Sequence, residues 1–176
     1  GPTYQIDPIA CEGCTYCLNV CRADAIHTRP VKVGDLKLYE RKEERFSTAT
    51  LTMGSGTTGK LVSEVKKQLK ENIPETEVAI LDGSPGIGCP VIASLSGVDL
   101  ALMVSEPSVS AFSDLKRVIT SARQLQVPVA VVVNKYDINP TICGEIEVFC
   151  FKEGIPFLGK IPYDKQVVTS LNRGEN

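Results

Sequence analysis

Residues 99 to 137 decide the fold, and they read "DLALMVSEPSVSAFSDLKRVITSARQLQVPVAVVVNKYD". The first segment, 99–107, is an apolar run closed by a proline, and the last, 127–137, is a nearly continuous run of β-branched residues. The segment between them, 108–126, carries apolar residues at helical spacing, namely Val109, Phe112, Leu115, Ile119 and Ala122. A strand, an amphipathic helix and a second strand predict one βαβ unit of a parallel sheet.

The same alternation continues on both sides of this unit. Further strands are predicted at 47–53, 77–83 and 155–164, and further helices at 58–72 and at 141–154, where Gly154 ends the helix. Apolar strands without polar alternation indicate a parallel sheet that is buried on both faces and linked by right-handed crossovers. The predicted fold class is therefore α/β, with a mostly parallel sheet flanked by helices.

Composition limits the classes of function. The chain has 176 residues, 43% of them apolar, which suits one domain with a small appendage. The net charge is −2 and no long basic run occurs, so we expect no nucleic-acid role. No apolar run reaches the about 18 residues of a membrane span, and the amino terminus lacks a signal-peptide pattern. The initial Gly-Pro resembles a processed or tagged start.

Four of the seven cysteines lie within eleven residues, as Cys11-x2-Cys14-x2-Cys17-x3-Cys21. This is the spacing of bacterial ferredoxin loops, in which thiolates on a tight turn reach the corners of an iron–sulfur cluster. A zinc site usually has a longer insert between its cysteine pairs, and unligated buried thiols are the remaining alternative. Without a secretory signal, a disulfide framework is disfavoured and a cytoplasmic setting fits better. We predict a 4Fe–4S cluster on these four cysteines.

The fourth ligand of that cluster stays open. Arg22 follows Cys21 where ferredoxin loops usually have proline, and in two-cluster ferredoxins this cysteine ligates the other cluster. A replacement ligand would have to come from elsewhere in the protein. The three dispersed cysteines are candidates, although free cysteines are often simply buried in the core. They are Cys89, Cys143 and Cys150.

A glycine-rich stretch, "MGSGTTGKLV" at 53–62, has the Gly54-x4-Gly59-Lys60 skeleton of a phosphate-binding loop. A strand precedes it and a helix follows, as such a loop requires. However, Leu61 stands where a Ser or Thr hydroxyl would bind Mg²⁺. Glycines also serve simply to turn a strand into a helix, so these residues alone leave both interpretations open.

Two later segments resemble parts of nucleotide enzymes. Asp82 ends a predicted strand before a glycine-rich loop, where an acid that organises Mg²⁺ would lie, although an ordinary turn is the alternative. Asn134, Lys135 and Asp137 form an N-K-x-D arrangement that can read a purine base edge or, alternatively, cap the next helix. Both segments follow strands of one predicted sheet, which favours a shared site.

Together these motifs resemble the MinD/ParA-type P-loop ATPases that carry an inserted ferredoxin domain. The matching segments are the cysteine loop, "GKLVSEVK" at 59–66, "ILDGSPGIGCPVIASLSGVDLALMVSEPS" at 80–108, "VVVNKYD" at 131–137 and "GKIPYD" at 159–164. The resemblance implies a ferredoxin-like segment at 1–45 and an incomplete MinD/ParA-like α/β domain at 46–176. It also implies a working P-loop of the form K-G-G-x-G-K-[ST] ahead of the insertion, which these residues do not contain.

The resemblance assigns roles to individual residues. Asp82 would organise Mg²⁺ and the attacking water, while Asn134, Asp137 and Pro162 would lie at the nucleotide base. Because residues 54–60 match a segment after the insertion, a turn is favoured over a nucleotide role for Gly59 and Lys60. ATP and Mg²⁺ would join the cluster as cofactors, and the expected partners are a redox or iron–sulfur client protein and a second copy of the chain.

Two functions follow from this sequence. The first is an iron–sulfur protein of the MinD/ParA-like ATPase family that couples nucleotide binding to electron transfer or cluster handling. The second is a ferredoxin-type electron carrier or cluster-binding module without nucleotide activity, in which the α/β part is a scaffold. Whether the chain is an enzyme depends on the missing P-loop.

Overall fold

The computed structural model describes residues 5–7, 10–11, 13–53, 58–73 and 76–174. The chain divides into two compact units, Gly1–Ser84 and Pro85–Asn176. The boundary predicted between residues 45 and 46 does not coincide with this division, because it falls inside a strand that belongs wholly to the first unit. The two-domain assignment drawn from the sequence therefore stays a prediction about the family.

The first unit is a β-hairpin with a helix on one side. Its described elements are α1 (Tyr16–Val20), β1 (Gly34–Arg41), β2 (Glu44–Leu51) and α2 (Thr58–Asn72). β1 and β2 pair antiparallel, from Gly34 opposite Leu51 to Arg41 opposite Glu44. Lys42 makes the turn with a φ of 52°, a value that non-glycine residues seldom adopt. Strand β1 was not predicted from the sequence, because its last residues fall in the charged run at 39–45.

Helix α2 packs on the hairpin through its apolar face. The helix predicted at 58–72 is confirmed with the same bounds, and its apolar residues Leu61, Val62, Val65 and Leu69 are half-buried. Ser47 Oγ on β2 lies 3.0 Å from the carbonyl oxygen of Val65 and 2.7 Å from Oε1 of Gln68. On the other side of the hairpin, the rings of Tyr39 and Phe46 stack 6.2 Å apart and remain exposed.

The strand predicted at 77–83 is wrong. Residues 78–83 have no regular secondary structure, and Val78 and Ile80 are 75% and 89% exposed. A strand requires a hydrogen-bonded neighbour, and the two sheets of the described residues pair only β1 with β2 and the three strands of the second unit with one another. An apolar sequence alone does not supply that neighbour.

The second unit contains the parallel sheet. Its elements are α3 (Cys89–Leu95), β3 (Ala101–Ser105), α4 (Val109–Gln124), β4 (Val129–Asn134), a 3-10 turn (Tyr136–Ile138), α5 (Pro140–Lys152), β5 (Phe157–Ile161) and α6 (Lys165–Arg173). The strand order is β3-β4-β5, and both pairs run parallel. The βαβ unit predicted at 99–137 is confirmed, since each predicted strand and helix is present with slightly shorter bounds.

The core lies between one face of this sheet and helices α4 and α5. Val131 and Val133 on β4 are fully buried against α4 and α5, where Ile119 and Ile146 are equally buried. The rings of Phe112 and Phe149 meet edge to face across the two helices. Four of the five residues predicted for the apolar face of α4 point inward, but Val109 is 76% exposed because it lies in the first turn, beyond the sheet.

On the opposite face of the sheet both edge strands are exposed, so the prediction of burial on both faces is wrong. Leu102 and Val104 on β3 are 53% and 61% exposed, and Leu158 on β5 is exposed as well. Helices α4 and α5 both cover the side of β4 that carries Val131 and Val133, whereas α3 packs near Ala101 and Ala122. Ala130 on the central strand is buried on this face, but no described helix of this unit covers Leu102, Val104 or Leu158.

Helix α5 ends as the sequence predicts. Its last residue is Lys152, and Gly154 follows with a φ of 64°, the left-handed conformation that favours glycine after a helix. The short helix α3 and the carboxyl-terminal helix α6 were not predicted from sequence. Among the helices described for this chain, none is long and apolar enough to cross a membrane.

Candidate functional site

The cysteine loop is a tight turn leading into a short helix. Cys17 lies in α1 and Cys21 caps its carboxyl end, where the Cys21 N–H donates to the Cys17 carbonyl at 3.1 Å. Gly13 and Thr15 both have left-handed backbone, with φ of 64° and 60°. These two residues bend the backbone just ahead of α1.

The thiol of Cys21 lies in a turn of backbone amides. The Ala25 N–H donates to Cys21 Sγ at 3.4 Å. This N–H and then the Ala23 N–H lower the pKa of the Cys21 thiol, with smaller contributions from Ile26 and Asp24, while burial opposes them. Amide donors stabilise the thiolate, which is the form that binds metal.

The four loop thiols are free but do not converge. Cys11 and Cys14 are exposed, whereas Cys17 and Cys21 are partly buried, and none forms a disulfide. Within the described residues, no three His, Cys, Asp or Glu side chains are placed to hold one metal ion. The donors match a soft metal site in type, since thiolates select iron–sulfur clusters and zinc. Their ligation of a cluster stays a prediction.

Two of the dispersed cysteines pack in the core of the second unit. Cys143 and Cys150 on α5 are 2% and 0% exposed, and burial raises the pKa of each thiol. Of the two uses that the sequence left open for them, core packing is confirmed. Cys89, by contrast, is exposed at the start of α3.

The residues predicted to lie at the nucleotide base come together at the carboxyl edge of the sheet. Asn134 is the last residue of β4 and pairs in register with Ile161, the last residue of β5, so Pro162 follows directly beside it. Asp137 Oδ1 accepts a hydrogen bond from the Tyr163 N–H at 2.7 Å. The parallel register explains this convergence, because parallel strands end at the same edge.

An ion pair at the same edge was missed by sequence reasoning. Lys135 Nζ lies 2.5 Å from Oε1 of Glu106, the residue that follows β3. Both side chains are more than a third exposed, so the pair contributes little to stability by itself. The pair joins the carboxyl ends of β3 and β4. The only sign of it in the sequence was a charged residue before the proline that follows β3.

The remaining predicted residues belong to the first unit. Asp82 is exposed in the irregular segment of the first unit, whereas Asn134 belongs to the second unit. Gly59 and Lys60 lie in the first turn of α2, with Lys60 exposed, while 54–57 fall outside the described residues. The strand ahead of this loop belongs to an antiparallel hairpin.

Comparison with known proteins finds three kinds of relative. An uncharacterized protein of Methanocaldococcus jannaschii is 32% identical over 170 residues, which cover 94% of this chain and 55% of the relative. An iron–sulfur cluster carrier protein of Pyrococcus furiosus is 31% identical over 120 residues, 60% of this chain and 41% of the relative. The septum site-determining protein MinD of Bacillus subtilis is 27% identical over 153 residues, 81% of this chain and 57% of its own length.

These matches cover only part of each relative. The chain spans about half the length of the curated relatives it matches. No protein-family model matches the sequence. The chain is therefore similar to iron–sulfur cluster carrier proteins and to MinD at modest identity, and its α/β fold with a parallel sheet is consistent with that similarity.

Proposed function

We propose that this chain is an iron–sulfur cluster-binding protein that couples nucleotide binding to electron transfer or cluster handling. The observation that carries the proposal is the cysteine loop, in which Cys21 Sγ receives a backbone N–H and its pKa is lowered by that and neighbouring amides. Hydrogen bonds from amides to cluster-ligating sulfur atoms are a recognised way for a protein to tune such a cluster. The similarity to named cluster carrier proteins supports the same conclusion.

In this proposal the cluster is of the 4Fe–4S type. Cys11, Cys14, Cys17 and Cys21 supply its thiolate ligands, and the bound cluster supplies one-electron chemistry or is itself handed on. The exposure of Cys11 and Cys14 suits transfer, because a client protein has to reach the cluster. The partner is a redox protein or an iron–sulfur client, in the cytoplasm, and a homodimer is the proposed assembly.

The nucleotide half of the proposal rests on the carboxyl edge of the second unit. Asn134, Asp137 and Pro162 lie together there and would contact the base, while Asp82 would organise Mg²⁺ and water. Hydrolysis would proceed by in-line attack of water on the γ-phosphate. The lysine-bearing phosphate loop would come from another segment or chain, since Lys60 is exposed on α2.

An electron carrier without nucleotide activity is the second candidate. It is favoured by Leu61, which provides no hydroxyl for Mg²⁺, and by the antiparallel hairpin ahead of the glycine stretch. The α/β unit would then serve as a scaffold or a partner surface. Phosphate-dependent nucleotide binding separates the two candidates.

One experiment tests both halves. The full chain is reconstituted anaerobically, iron and sulfide are quantified, and the same sample is titrated with a fluorescent ATP analogue and Mg²⁺. About four irons per chain with saturable binding supports the coupled function. A full cluster without nucleotide binding supports the electron-carrier function, and a sample without iron refutes both.

A further inference from the structure

One face of the parallel sheet has no helical layer over its edge strands. Leu102 and Val104 on β3 and Leu158 on β5 are exposed there, and we call the surface that they border the open face. Parallel sheets occur almost only where helices cover both faces, because their strands carry apolar side chains on each side. Within the residues that the structure describes, this sheet therefore has one of its two usual layers.

Small residues lie between the large ones on the open face. Ala130 is opposite Leu102 in the register, and Gly159 is opposite Val132. Gly159 has a φ of 145°, and a Cβ added to it would meet nothing within 4 Å apart from its chain neighbours. A glycine inside a strand marks a bulge, as it does here, or a place where another backbone approaches closely. The middle of the face therefore has room for a helix.

Helix α6 has the complementary surface. Val167, Val168 and Leu171 form an apolar stripe along one side of this nine-residue helix, and all three are exposed. The start of the helix is well formed, because the Asp164 side chain accepts the Gln166 N–H at 2.8 Å. A helix this short is only marginally stable in water without packing. The stripe on α6 therefore needs an apolar surface to lie on.

The helix matches the open face in size. Nine helical residues span about 14 Å, and a strand of five residues spans about 16 Å. A helix with its side chains is about 10–12 Å wide, close to the roughly 10 Å between the outer strands of a three-stranded sheet. One helix of this length is thus enough to cover the face.

The charges at the ends of the two surfaces also match. Lys165 and Arg173 are the first and last residues of α6, while Asp99 precedes β3 and Glu106 follows it. Helix α4 joins two parallel strands and so runs antiparallel to them. In the same orientation, α6 on the open face brings Lys165 toward Glu106 and Arg173 toward Asp99, and opposite charges attract at both ends.

We propose that two copies of this chain form a symmetric dimer in which α6 of each copy covers the open face of the other. The inference rests on the homodimer of the proposed function and names its contact. The bond from the Tyr163 N–H to Asp137 holds the loop ahead of α6, and in this arrangement α6 leaves the open face of its own sheet uncovered. A twofold axis pairs both surfaces of each copy at once, so the assembly closes as a dimer.

The test places one charge on each surface of the full, anaerobically reconstituted chain. Leu171→Glu puts a carboxylate in the stripe of α6, and Leu102→Lys puts an ammonium on the open face. Both leucines are exposed, so neither change opens a cavity in the core. Val109→Glu is the control, because Val109 is an exposed apolar residue in the first turn of α4, outside both surfaces. The molar mass is measured by sedimentation equilibrium without nucleotide, and iron is quantified on the same samples.

We expect the wild type and Val109→Glu to reach about twice the chain mass of 19.0 kDa. Leu171→Glu and Leu102→Lys should each raise the dimer Kd by more than about tenfold, because each places an unpaired charge against an apolar surface. An equimolar mixture of these two variants should regain the dimer. In the mixed dimer, the introduced carboxylate of one copy faces the introduced ammonium of the other, and the second contact is wild type.

A wild-type chain that stays monomeric would refute the inference, whether or not it binds iron and nucleotide. Loss of the dimer in Leu171→Glu alone would indicate helix-on-helix contact, and loss in Leu102→Lys alone would indicate sheet-on-sheet contact, so either result overturns the pairing. A mixture that stays monomeric would overturn it as well. The expected masses in samples without iron would support the dimer contact while the cluster-binding function fails.

Discussion

The backbone N–H of Ala25 donates to Sγ of Cys21 across 3.4 Å, so the turn after the last cysteine of the loop holds that sulfur atom. The turn contains Asp24, whose φ of 48° is left-handed and directs successive amides toward the thiol. These amides lower the pKa of the Cys21 thiol and so favour its thiolate form.

Replacement of Cys14 by Ala should abolish the cluster. Cys14 is one of the proposed ligands, and three remaining loop thiolates do not complete a cubane site. The measurement is iron and sulfide per chain after anaerobic reconstitution, together with the absorbance of the cluster. Cys89→Ala is the matched control, because Cys89 is also exposed but lies outside the loop. A full iron complement in Cys14→Ala would refute the assignment of the loop.

Replacement of Lys60 by Ala should leave nucleotide affinity nearly unchanged. Lys60 is exposed in the first turn of α2, and the preceding strand β2 pairs antiparallel in a hairpin. The Kd for a fluorescent ATP analogue in Mg²⁺ is compared between wild type, Lys60→Ala and Asn134→Ala. We expect a loss only for the Asn134 variant. A loss of tenfold or so for Lys60→Ala, about 1.4 kcal/mol, would make the glycine stretch a phosphate loop after all.

The sequence predicts elements best where burial and periodicity agree. The helix at 58–72 has clear apolar spacing, and the run at 129–134 is β-branched and central in its sheet, so both were predictable. The segment 77–83 is equally apolar but remains irregular, because strand formation depends on a partner that a local pattern does not reveal. The hairpin turn at Lys42 was not predicted either, because its residues are not the glycine and asparagine typical of such turns.

The residues that meet at the carboxyl edge of the sheet were partly predictable from the sequence. Because parallel strands end at one edge, residues just after β4 and β5 had to come together, and Asn134 and Pro162 do so. The bond between Asp137 and Tyr163 was not predictable, because it depends on how two loops fold back. Ligation of a cluster by the four cysteines remains a prediction from their spacing.

Truncation of Ile146 to Ala should destabilise the second unit strongly. Ile146 is fully buried between α5 and the sheet, so the change leaves a cavity and costs about 2–5 kcal/mol. Val148→Ala is the control on the same helix, since Val148 is 52% exposed and its truncation should change stability by about 0.5 kcal/mol or less. Hydrogen exchange of the β4 amides reports the unfolding free energy of this unit. Equal effects of the two variants would contradict the described core.

The stability of the second unit should fall as pH rises from about 8 to 9.5. Burial raises the folded-state pKa of the Cys143 and Cys150 thiols above the ordinary value of 9.0. In this window the unfolded thiols lose protons while the folded ones keep theirs, so the folded state binds more protons and stability decreases with pH, by at most about 1.4 kcal/mol per pH unit for each thiol. Lys160 has its pKa raised from 10.5, chiefly by Glu147, and therefore titrates above the window.

The measurement is urea unfolding of the apoprotein in an added reductant at several pH values, for wild type and Cys150→Ala. The variant loses some packing and should be less stable at every pH, but its decline with pH should be shallower, because one buried thiol is gone. The free energy of unfolding at any one pH reports the loss of packing. The slope of that free energy against pH reports the loss of the titrating thiol, so the measurement separates the two effects. The same slope in both proteins would mean that the Cys150 thiol titrates alike in the folded and unfolded chain.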